Sequence, residues 1–215
     1  MNRKLLDLTT KELKLNLTEP QYDSFDLLLN ELSRWNGKIN LTAIKDGDEM
    51  TSKHLIDSLH LVPELDLHQS LLDVGSGAGF PALVIAIARP DCLVTSIDAV
   101  GKKISFQRHI SRLLKLDNFK PLHGRVEELA KNRLHCFDLV VSRAFSSLSL
   151  FVSTCAMLVC QSGKLISMRG SDAEHELKEL EEKIKTAGFR PEPVIKYHLP
   201  NNIGSRTLVR LRNEL

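Results

Sequence analysis

The sequence has few of the features that mark membrane, exported or metal-binding proteins. Aromatic residues make up only 5% of the 215 residues, with one tryptophan and two tyrosines. No apolar run approaches the length needed to cross a bilayer, and the first residues include Asp7 and Glu12 with no continuous apolar stretch. We therefore expect no transmembrane segment and no signal or transit peptide.

The cysteines are few and show no recognisable pattern. Cys92, Cys136, Cys155 and Cys160 form no Cys-x-x-Cys pair and no zinc-finger spacing with histidine. Three of them lie in or after apolar runs, where a free thiol behaves as a small core residue. We expect reduced thiols, a cytoplasmic protein and no metal.

Composition and charge are ordinary for a globular protein. Hydrophobic residues make up 42% of the chain, charged residues 26%, and the formal net charge is +2. These values argue against disorder. They neither require nor exclude a nucleic-acid partner, because a local basic surface matters more than the total charge.

The first 69 residues have helical periodicity. Residues 18–21 carry a capping signal, with threonine, then proline, then glutamine three positions after the threonine. Apolar residues then recur at three- and four-residue spacing over 22–35, and we expect that helix to end at Asn36-Gly37. A second helix is predicted over 49–62. The sequence thus predicts an N-terminal helical cap, residues 1–69.

From residue 70 onward, short apolar runs alternate with longer amphipathic segments. The predicted strands are 71–74, 93–97, 119–122, 137–141 and 165–168, and the predicted helices are about 80–89, 101–116, 125–132, 147–160 and 172–187. This alternation predicts parallel strands with helices on both faces. The extended runs 194–199 and 207–211 have no helix between them and predict a terminal hairpin. Residues 70–215 are therefore predicted to form an α/β, Rossmann-like methyltransferase domain with seven strands, the last antiparallel.

A glycine-rich turn follows the first predicted strand. Gly75, Gly77 and Gly79 alternate after Asp73, and Phe80 stands where a dinucleotide-binding pattern would have its third glycine. S-adenosylmethionine has no phosphate but carries an ammonium and a sulfonium, which the carboxylate of Asp73 would favour. The pattern predicts a turn that binds this cofactor; a tight turn without a ligand is the alternative.

Asp98 ends the second predicted strand, 25 positions after Asp73. An acidic residue at this place accepts hydrogen bonds from ribose hydroxyls in related folds. The alternative is a helix N-cap. The position of Asp98 at the end of a predicted strand favours ribose binding over the N-cap.

Several separated stretches together resemble one family, the bacterial 16S ribosomal RNA guanine-N7 methyltransferases, also called glucose-inhibited division protein B. The stretches are Trp35-Asn36, Asn40-Leu41-Thr42, 54–59, 73–81, Lys102-Lys103, 124–128, Phe137-Asp138 and Ser142-Arg143-Ala144. The resemblance implies that S-adenosyl-L-methionine is converted to S-adenosyl-L-homocysteine. The methyl group would go to one guanine in the decoding-region loop of small-subunit RNA.

The resemblance also implies which residues hold the cofactor. They are Gly75, Phe80, Asp98, Val126, Glu127 and Arg143. The chain departs from the usual family residues at Ala82, Asp98-Ala99, Val126 and Arg169-Gly170.

Methyl transfer to guanine N7 needs no general base, because N7 carries a lone pair and no proton. Positioning alone can lower such a barrier by about 7–11 kcal/mol. Arg143 follows the fourth predicted strand and is the candidate for positioning the base or its phosphate. An ion pair with Asp138 or Glu127 is the equally simple alternative.

Residues 100–133 contain nine basic and three acidic side chains. This excess of positive charge supports a surface that contacts the RNA backbone and a helix face that is only exposed to solvent about equally. Lys102, Arg108, His109, Arg112 and Lys115 share one predicted helix face, opposite Phe106, Ile110 and Leu113. The RNA-binding candidates are Asn40, His54, Lys102, Lys103, Arg125, Arg169 and Arg206.

Other conspicuous side chains have ordinary explanations. Trp35 continues the apolar stripe and is expected in the core, with base stacking as the lesser alternative. His54 and Asp57 lie one turn apart, and a packed or surface histidine is expected rather than a metal ligand.

The predicted partner is 16S ribosomal RNA or the small ribosomal subunit, with no membrane and no obligate protein partner evident. Two other functions stay open. A methyltransferase acting on a protein or small molecule would have a tightly enclosed pocket, whereas an RNA enzyme would have an open basic rim. A non-catalytic ribosome-assembly factor could bind the cofactor without turning it over.

Overall fold

The computed structural model describes residues 1–67, 69–131, 136–143 and 145–215. A single eight-stranded sheet lies at its centre, in the order β3-β2-β1-β4-β5-β8-β6, with β7 also paired to β8. The strands are β1 (Ser70–Val74), β2 (Leu93–Asp98), β3 (Phe119–His123), β4 (Phe137–Ser142), β5 (Val159–Arg169), β6 (Phe189–Pro191), β7 (Ile195–Leu199) and β8 (Gly204–Asn213).

The first five strands are parallel, and β8 runs antiparallel to β5. The predicted strand sequence and the terminal hairpin of β7 and β8 are confirmed. The three-residue β6 was not predicted, because so short a strand carries no periodicity. Strand β5 begins at Val159, six residues before its predicted start, and the preceding helix is correspondingly shorter.

Nine α-helical segments surround the sheet in the described part of the chain. They are α1 (Arg3–Glu12), α2 (Glu19–Ile39), α3 (Gly47–Met50), α4 (Asp57–Leu59), α5 (Ala82–Ala88), α6 (Gly101–Leu113), α7 (Val126–Lys131), α8 (Leu148–Cys155) and α9 (Ala173–Thr186). A π-helical turn, Thr51–Ile56, joins α3 to α4, so 47–59 is one continuous helical segment where 49–62 was predicted. Within the described residues, no helix is both long and apolar enough to cross a membrane.

The predicted end of α2 at Asn36-Gly37 is wrong. The helix continues to Ile39, and Asn40 then takes the left-handed conformation with φ 46°. Asn36 is buried, and its side-chain oxygen accepts hydrogen bonds from the N–H groups of Leu41 and Thr42. The asparagine therefore folds the chain back after the helix without ending it.

The N-terminal helices share an apolar core with the sheet and its helices α5 and α6. Phe25 on α2 is fully buried in this core, which contributes about 1.5–3 kcal/mol. The Gln21 side chain donates to the carbonyls of Ile87 and Ala88 at the end of α5. A second core on the opposite face holds α8 and α9. The division into a cap of residues 1–69 and a domain of residues 70–215 stays a prediction.

The expectation of four free thiols is wrong for one pair. Cys136 and Cys160 form a disulfide where β4 and β5 begin side by side. Parallel pairing of these strands brings together residues that lie 24 positions apart in the sequence. Cys92 and Cys155 are free and buried, and burial raises their thiol pKa values to about 11 and about 12, as expected of inert core thiols.

Candidate cofactor and substrate site

The glycine turn lies at the carboxyl end of β1. Gly75, Gly77 and Gly79 have φ values of 70°, 59° and 95°, which L side chains rarely adopt. A Cβ atom at Gly79 would lie 2.5 Å from Leu83 Cδ1, whereas one at Gly77 would meet nothing within 4 Å. Gly79 thus lets helix α5 pack closely, and Gly77 leaves the outer face of the turn open.

Two polar side chains from neighbouring elements hold this turn. Asp98, at the end of β2, accepts hydrogen bonds from the N–H groups of Gly77 and Val100, both at 2.8 Å. Gln107 on α6 donates to Ser76 Oγ and to the Gly77 carbonyl, again at 2.8 Å. Because each carboxylate oxygen has a second lone pair, Asp98 can still accept from ribose hydroxyls.

The role of Gln107 is not evident from the sequence and was not predicted. The residue is fully buried on the inner face of α6, between Phe106 and Ile110. A polar residue beside the apolar positions of an amphipathic helix is the only available signal, and the sequence does not reveal its partner.

Asp73 has an unusual environment beneath the turn. It is fully buried, and its Oδ2 accepts the N–H of Ala82 at 3.1 Å. Oδ1 has no hydrogen-bond partner among the described residues. Burial raises the pKa of this carboxyl to about 7. An unsatisfied buried acceptor beside a glycine turn fits a ligand that carries a donor or a positive charge.

A cavity of about 400 Å³ opens beside the turn, and we call it the Asp98 cavity. Its size lies in the range of small-molecule sites. Its walls are formed by Val74, Gly75, Ile97, Asp98, Ala99, Gly124, Arg125, Val126, Glu127, Phe145, Ser146 and Leu150. The structure therefore brings together Gly75, Asp98, Val126 and Glu127.

A second cavity of about 430 Å³ lies next to it, and we call it the Arg143 cavity. It is lined by Ile44, Lys53, His54, Asp57, Arg143, Phe145, Met168, Arg169, Gly170 and Arg206. Phe145 lines both cavities, so they adjoin at this side chain. The first cavity carries two carboxylates, and its neighbour carries one lysine and three arginines.

The Asp98 cavity is not lined by the other five residues predicted to hold the cofactor, which are Asp73, Gly77, Gly79, Phe80 and Arg143. Phe80 is buried, and its ring stacks on His54 with centroids 4.5 Å apart. Arg143 belongs to the neighbouring cavity.

The suggested ion pairs of Arg143 with Asp138 or Glu127 are absent among the described residues. Arg143 Nη1 donates to the Lys53 carbonyl at 2.8 Å and to Asp57 Oδ2 at 3.2 Å. Asp138 instead accepts from the backbone and side chain of Ser70 on the adjacent strand. The partner of Arg143 comes from the N-terminal helical segment, which sequence proximity could not suggest.

His54 is a packed, neutral histidine, in line with the expectation from the sequence. Burial above all, and then the charges of Arg143 and Lys53, lower its pKa to about 3. Its Nδ1 lies 3.4 Å from Arg143 Nη2, which can only donate, so Nε2 carries the proton and faces Thr42 Oγ1 at 3.2 Å. In the part of the chain that the structure describes, no group of three metal-ligating side chains is found.

The RNA-binding candidates differ in how accessible they are. Asn40, Lys102 and Arg125 are exposed, and Arg206 lines the Arg143 cavity. Lys103 Nζ lies 3.8 Å from Asp98.

Arg169 is occupied by partners within the protein. Its guanidinium donates to the carbonyls of Phe145 and Ser146 and pairs with Glu176 at 2.7 Å. It therefore holds the segment between the two cavities, which argues against a free RNA contact.

Four of the five residues predicted to form the basic face of the helical segment 101–116 are exposed. Lys102, Arg108, Arg112 and Lys115 are exposed, but His109 is half-buried, 2.7 Å from Glu31 and beside Trp35. Leu113, expected on the buried side, is 44% exposed. Arg133, one of the nine basic residues counted in the segment 100–133, lies outside the described residues. Trp35 packs edge-on to Phe106 and is partly buried against the core.

Comparison with known proteins shows which family this chain belongs to. The family model described as rRNA small subunit methyltransferase G matches residues 21–207. The chain belongs to this family. A protein of Syntrophotalea carbinolica named ribosomal RNA small subunit methyltransferase G is 43% identical over 215 residues, which cover 100% of this chain and 99% of that protein. The Escherichia coli (strain SMS-3-5) protein of the same name is 35% identical, with 96% of each chain covered.

Solved structures support the fold class. M. jannaschii TYW2 in complex with AdoMet has a TM-score of 0.59 at 13% identity, and the match covers 78% of this chain and 75% of that one. Aeropyrum pernix fibrillarin with natively bound S-adenosyl-L-methionine has a TM-score of 0.57 at 14% identity, with 73% of each chain covered. The predicted Rossmann-like methyltransferase fold is confirmed.

Proposed function

We propose that this protein transfers a methyl group from S-adenosyl-L-methionine to N7 of a guanine in the decoding-region loop of 16S ribosomal RNA. One observation carries the proposal. A carboxylate-bearing cavity beside the glycine turn adjoins a basic cavity at Phe145, in a chain of the rRNA small subunit methyltransferase G family.

The Asp98 cavity has the donor and acceptor groups that the cofactor needs. Asp98 would accept from the ribose hydroxyls, and Gly75, Val126 and Glu127 would contact the remainder. Asp73 Oδ1, buried and unsatisfied among the described residues, supports a positively charged ligand end near the turn. When bound, S-adenosylmethionine supplies an electrophilic methyl group on its sulfonium.

The residues of the Arg143 cavity have to position a base and need not deprotonate it. Guanine N7 carries no proton, and the two ring nitrogens of the neutral His54 already face Arg143 and Thr42. Arg143 would orient the base or its phosphate through its planar guanidinium. Ile44, Phe145 and Met168 contribute apolar side chains to the wall of this cavity. Such positioning can account for about 7–11 kcal/mol of the barrier.

The distribution of basic side chains supports an RNA substrate over a protein or a small molecule. Lys53, Arg143 and Arg206 line the Arg143 cavity, and Lys102, Arg108 and Arg112 are exposed on α6. No described carboxylate forms an ion pair with these three α6 side chains. Cations not neutralised within the protein favour contacts with a phosphate backbone. The proposed substrate is therefore ribosomal RNA, either free or in the small subunit, and we propose that the protein acts on it in the cytoplasm.

Mass mapping of small-subunit RNA from cells with and without this protein tests the proposal. When the protein is absent, one decoding-loop guanine should lack the methyl group at N7, and its mass should fall accordingly. An unchanged methylation map would overturn the substrate. A protein that binds the cofactor but has no effect on that map would favour the non-catalytic alternative.

A further inference from the structure

Asp57 is a buried carboxylate to which the proposed function assigns no role. It begins α4 and is 2% exposed. It is also the only acidic residue among the described residues that line the Arg143 cavity. A buried carboxylate is costly unless its oxygens have strong partners, so its contacts define what it does.

Three side chains from distant parts of the chain meet at this carboxylate. Tyr197 Oη on β7 donates to Oδ1 at 2.8 Å, and Arg206 Nε on β8 lies 3.8 Å from the same oxygen. Arg143 Nη1 donates to Oδ2. The Tyr197 ring is itself fixed, because it stacks on His60 with centroids 3.7 Å apart. The carboxylate is therefore held by a rigid tyrosine and contacts two arginines.

The π-helical turn before Asp57 adds two more contacts to Arg143, one through the Lys53 carbonyl and one through His54 Nδ1. In this turn the Asp57 N–H is directed to the carbonyls of Ser52 and His54, so the Lys53 carbonyl accepts from Arg143. Together with His54 Nδ1, three groups within 53–57 therefore hold one guanidinium. π-Helical turns of this kind are frequent at functional sites.

This arrangement leaves part of the guanidinium free for a ligand. Arg143 has five N–H groups, and the contacts above use both on Nη1 and one on Nη2. The Nε–H and the second Nη2 hydrogen have no acceptor among the described residues. Their direction is fixed by the contacts that Asp57, Lys53 and His54 make.

We propose that Asp57, itself fixed by Tyr197, is a positioning residue that orients Arg143 at the wall of the Arg143 cavity. This inference rests on the proposed function, since it gives Arg143 a ligand to orient. Removing the carboxylate leaves Arg143 tethered only by the Lys53 carbonyl and His54. Misplacement of a positioning group by about 1 Å can slow a reaction roughly 100-fold.

The test compares methyl transfer to small ribosomal subunits by the full chain and its variants. Asp57→Asn should lower kcat roughly 100-fold, and Tyr197→Phe, which keeps the ring on His60, should lower it roughly 5- to 10-fold. Asp91→Asn is the matched control, because it removes a carboxylate from the Arg89 pair and lines neither cavity. Its kcat should stay within about 2-fold of that of the unmodified protein.

A double-mutant cycle separates positioning from a general structural effect. In an Arg143→Ala background, Asp57→Asn and Tyr197→Phe should each cause at most about a 2-fold further loss of kcat, because each acts through the removed guanidinium. Full additivity would overturn the inference. If Asp57→Asn fails to fold, as judged by circular dichroism, the Tyr197→Phe cycle decides.

The same cycle is measured for the affinity of 16S ribosomal RNA by filter binding, which requires no methyl transfer. If the unmodified protein binds this RNA but methylates none of it, the proposed reaction fails, and the affinity cycle alone then tests the inference. Non-additive losses of affinity in that cycle support the role of Asp57. Additive losses, or none from Asp57→Asn, contradict it.

Discussion

The imidazole of His54 stacks on the ring of Phe80, with centroids 4.5 Å apart and planes inclined by 20°. Phe80 closes the glycine turn, and His54 belongs to the π-helical turn that holds Arg143. The stack thus joins the element that would hold the cofactor to the element that would position the substrate. It also keeps a titratable ring in an environment where protonation is unfavourable.

The first prediction concerns this ring and acid stability. The pKa of His54 is about 3 in the folded protein, against 6.5 as its ordinary value, so the unfolded chain binds the proton first. The stability that the neutral His54 ring contributes is therefore fully present above about pH 6.5 and is lost as the pH falls towards 3. Between pH 7 and pH 5, we expect His54 to account for a loss of about 2 kcal/mol in the free energy of unfolding.

Urea denaturation at both pH values, with His54→Phe and His175→Phe, measures this contribution. His54→Phe keeps a ring on Phe80 and should reduce the pH dependence, whereas His175 is exposed and its replacement should not. Equal pH dependence in all three proteins would show that His54 titrates normally.

The second prediction concerns Asp73, whose effect on stability has the opposite sign. Burial raises its pKa to about 7 from an ordinary 3.8, so the folded protein holds the proton more tightly than the unfolded chain. Its contribution is present below about pH 3.8 and is lost as the pH rises through 7. Asp73→Asn should therefore stabilise the protein more at pH 8 than at pH 5.

Urea denaturation of Asp73→Asn and of the unmodified protein at pH 5 and pH 8 measures this stabilisation. An equal stabilisation at both pH values would contradict the prediction. The same variant should bind the cofactor about 10-fold more weakly in calorimetry, because it lacks the carboxylate charge. Unchanged affinity would show that Asp73 does not act on the ligand.

The third prediction concerns the glycine turn. Gly79→Ala should lower the free energy of unfolding by about 1–3 kcal/mol, because the added Cβ meets Leu83 and the backbone has φ 95°. Gly37→Ala, in α2 with open space around it, should instead stabilise by about 0.4–1 kcal/mol. Thermal or urea denaturation of the two variants is decisive, since effects of the same sign would mean that the turn has another geometry.

The fourth prediction concerns Asp98. Replacement with alanine removes the acceptor of the Gly77 and Val100 N–H groups and the proposed ribose contact. We expect at least a roughly 10-fold loss of S-adenosylmethionine affinity by calorimetry. Asp117→Ala, at an exposed site, serves as control. Affinity equal to that of the control would remove Asp98 from the cofactor site.

The fifth prediction concerns the basic face of α6. Replacing Lys102, Arg108 or Arg112 with alanine should weaken RNA binding. Each replaced side chain that binds a phosphate should also reduce the slope of log affinity against log salt concentration by about one unit. Lys178→Ala on the acidic helix α9 should leave both unchanged. Filter binding at several salt concentrations measures the slope, and equal slopes in all variants would place the RNA elsewhere.

Local sequence patterns predict the order of strands along the chain and the glycine turn. Each βα unit has its own periodicity, and Asp73 to Phe80 are contiguous. The contacts that build the Arg143 cavity are not local. Asp57 and Tyr197 are 140 residues apart, and Arg143 and Lys53 are 90 apart. One-dimensional spacing carries no information about such pairs.

The incorrect predictions have the same physical origin. Asn36-Gly37 resembles a helix end because both residues favour turns, yet the buried Asn36 side chain bonds to the chain beyond the helix. Cys136 and Cys160 resemble free thiols because their pairing depends on two strands starting side by side. In each case, tertiary packing overrides a local preference.

The most direct measurement supplies the purified protein with methyl-labelled S-adenosylmethionine and small subunits from cells that lack it. Cleavage specific for N7-methylguanine then maps the product. We predict label in 16S ribosomal RNA at a single decoding-loop guanine, with transfer sharply reduced by Arg143→Ala. Label at another atom or in ribosomal protein, or no transfer at all, would contradict the proposed function.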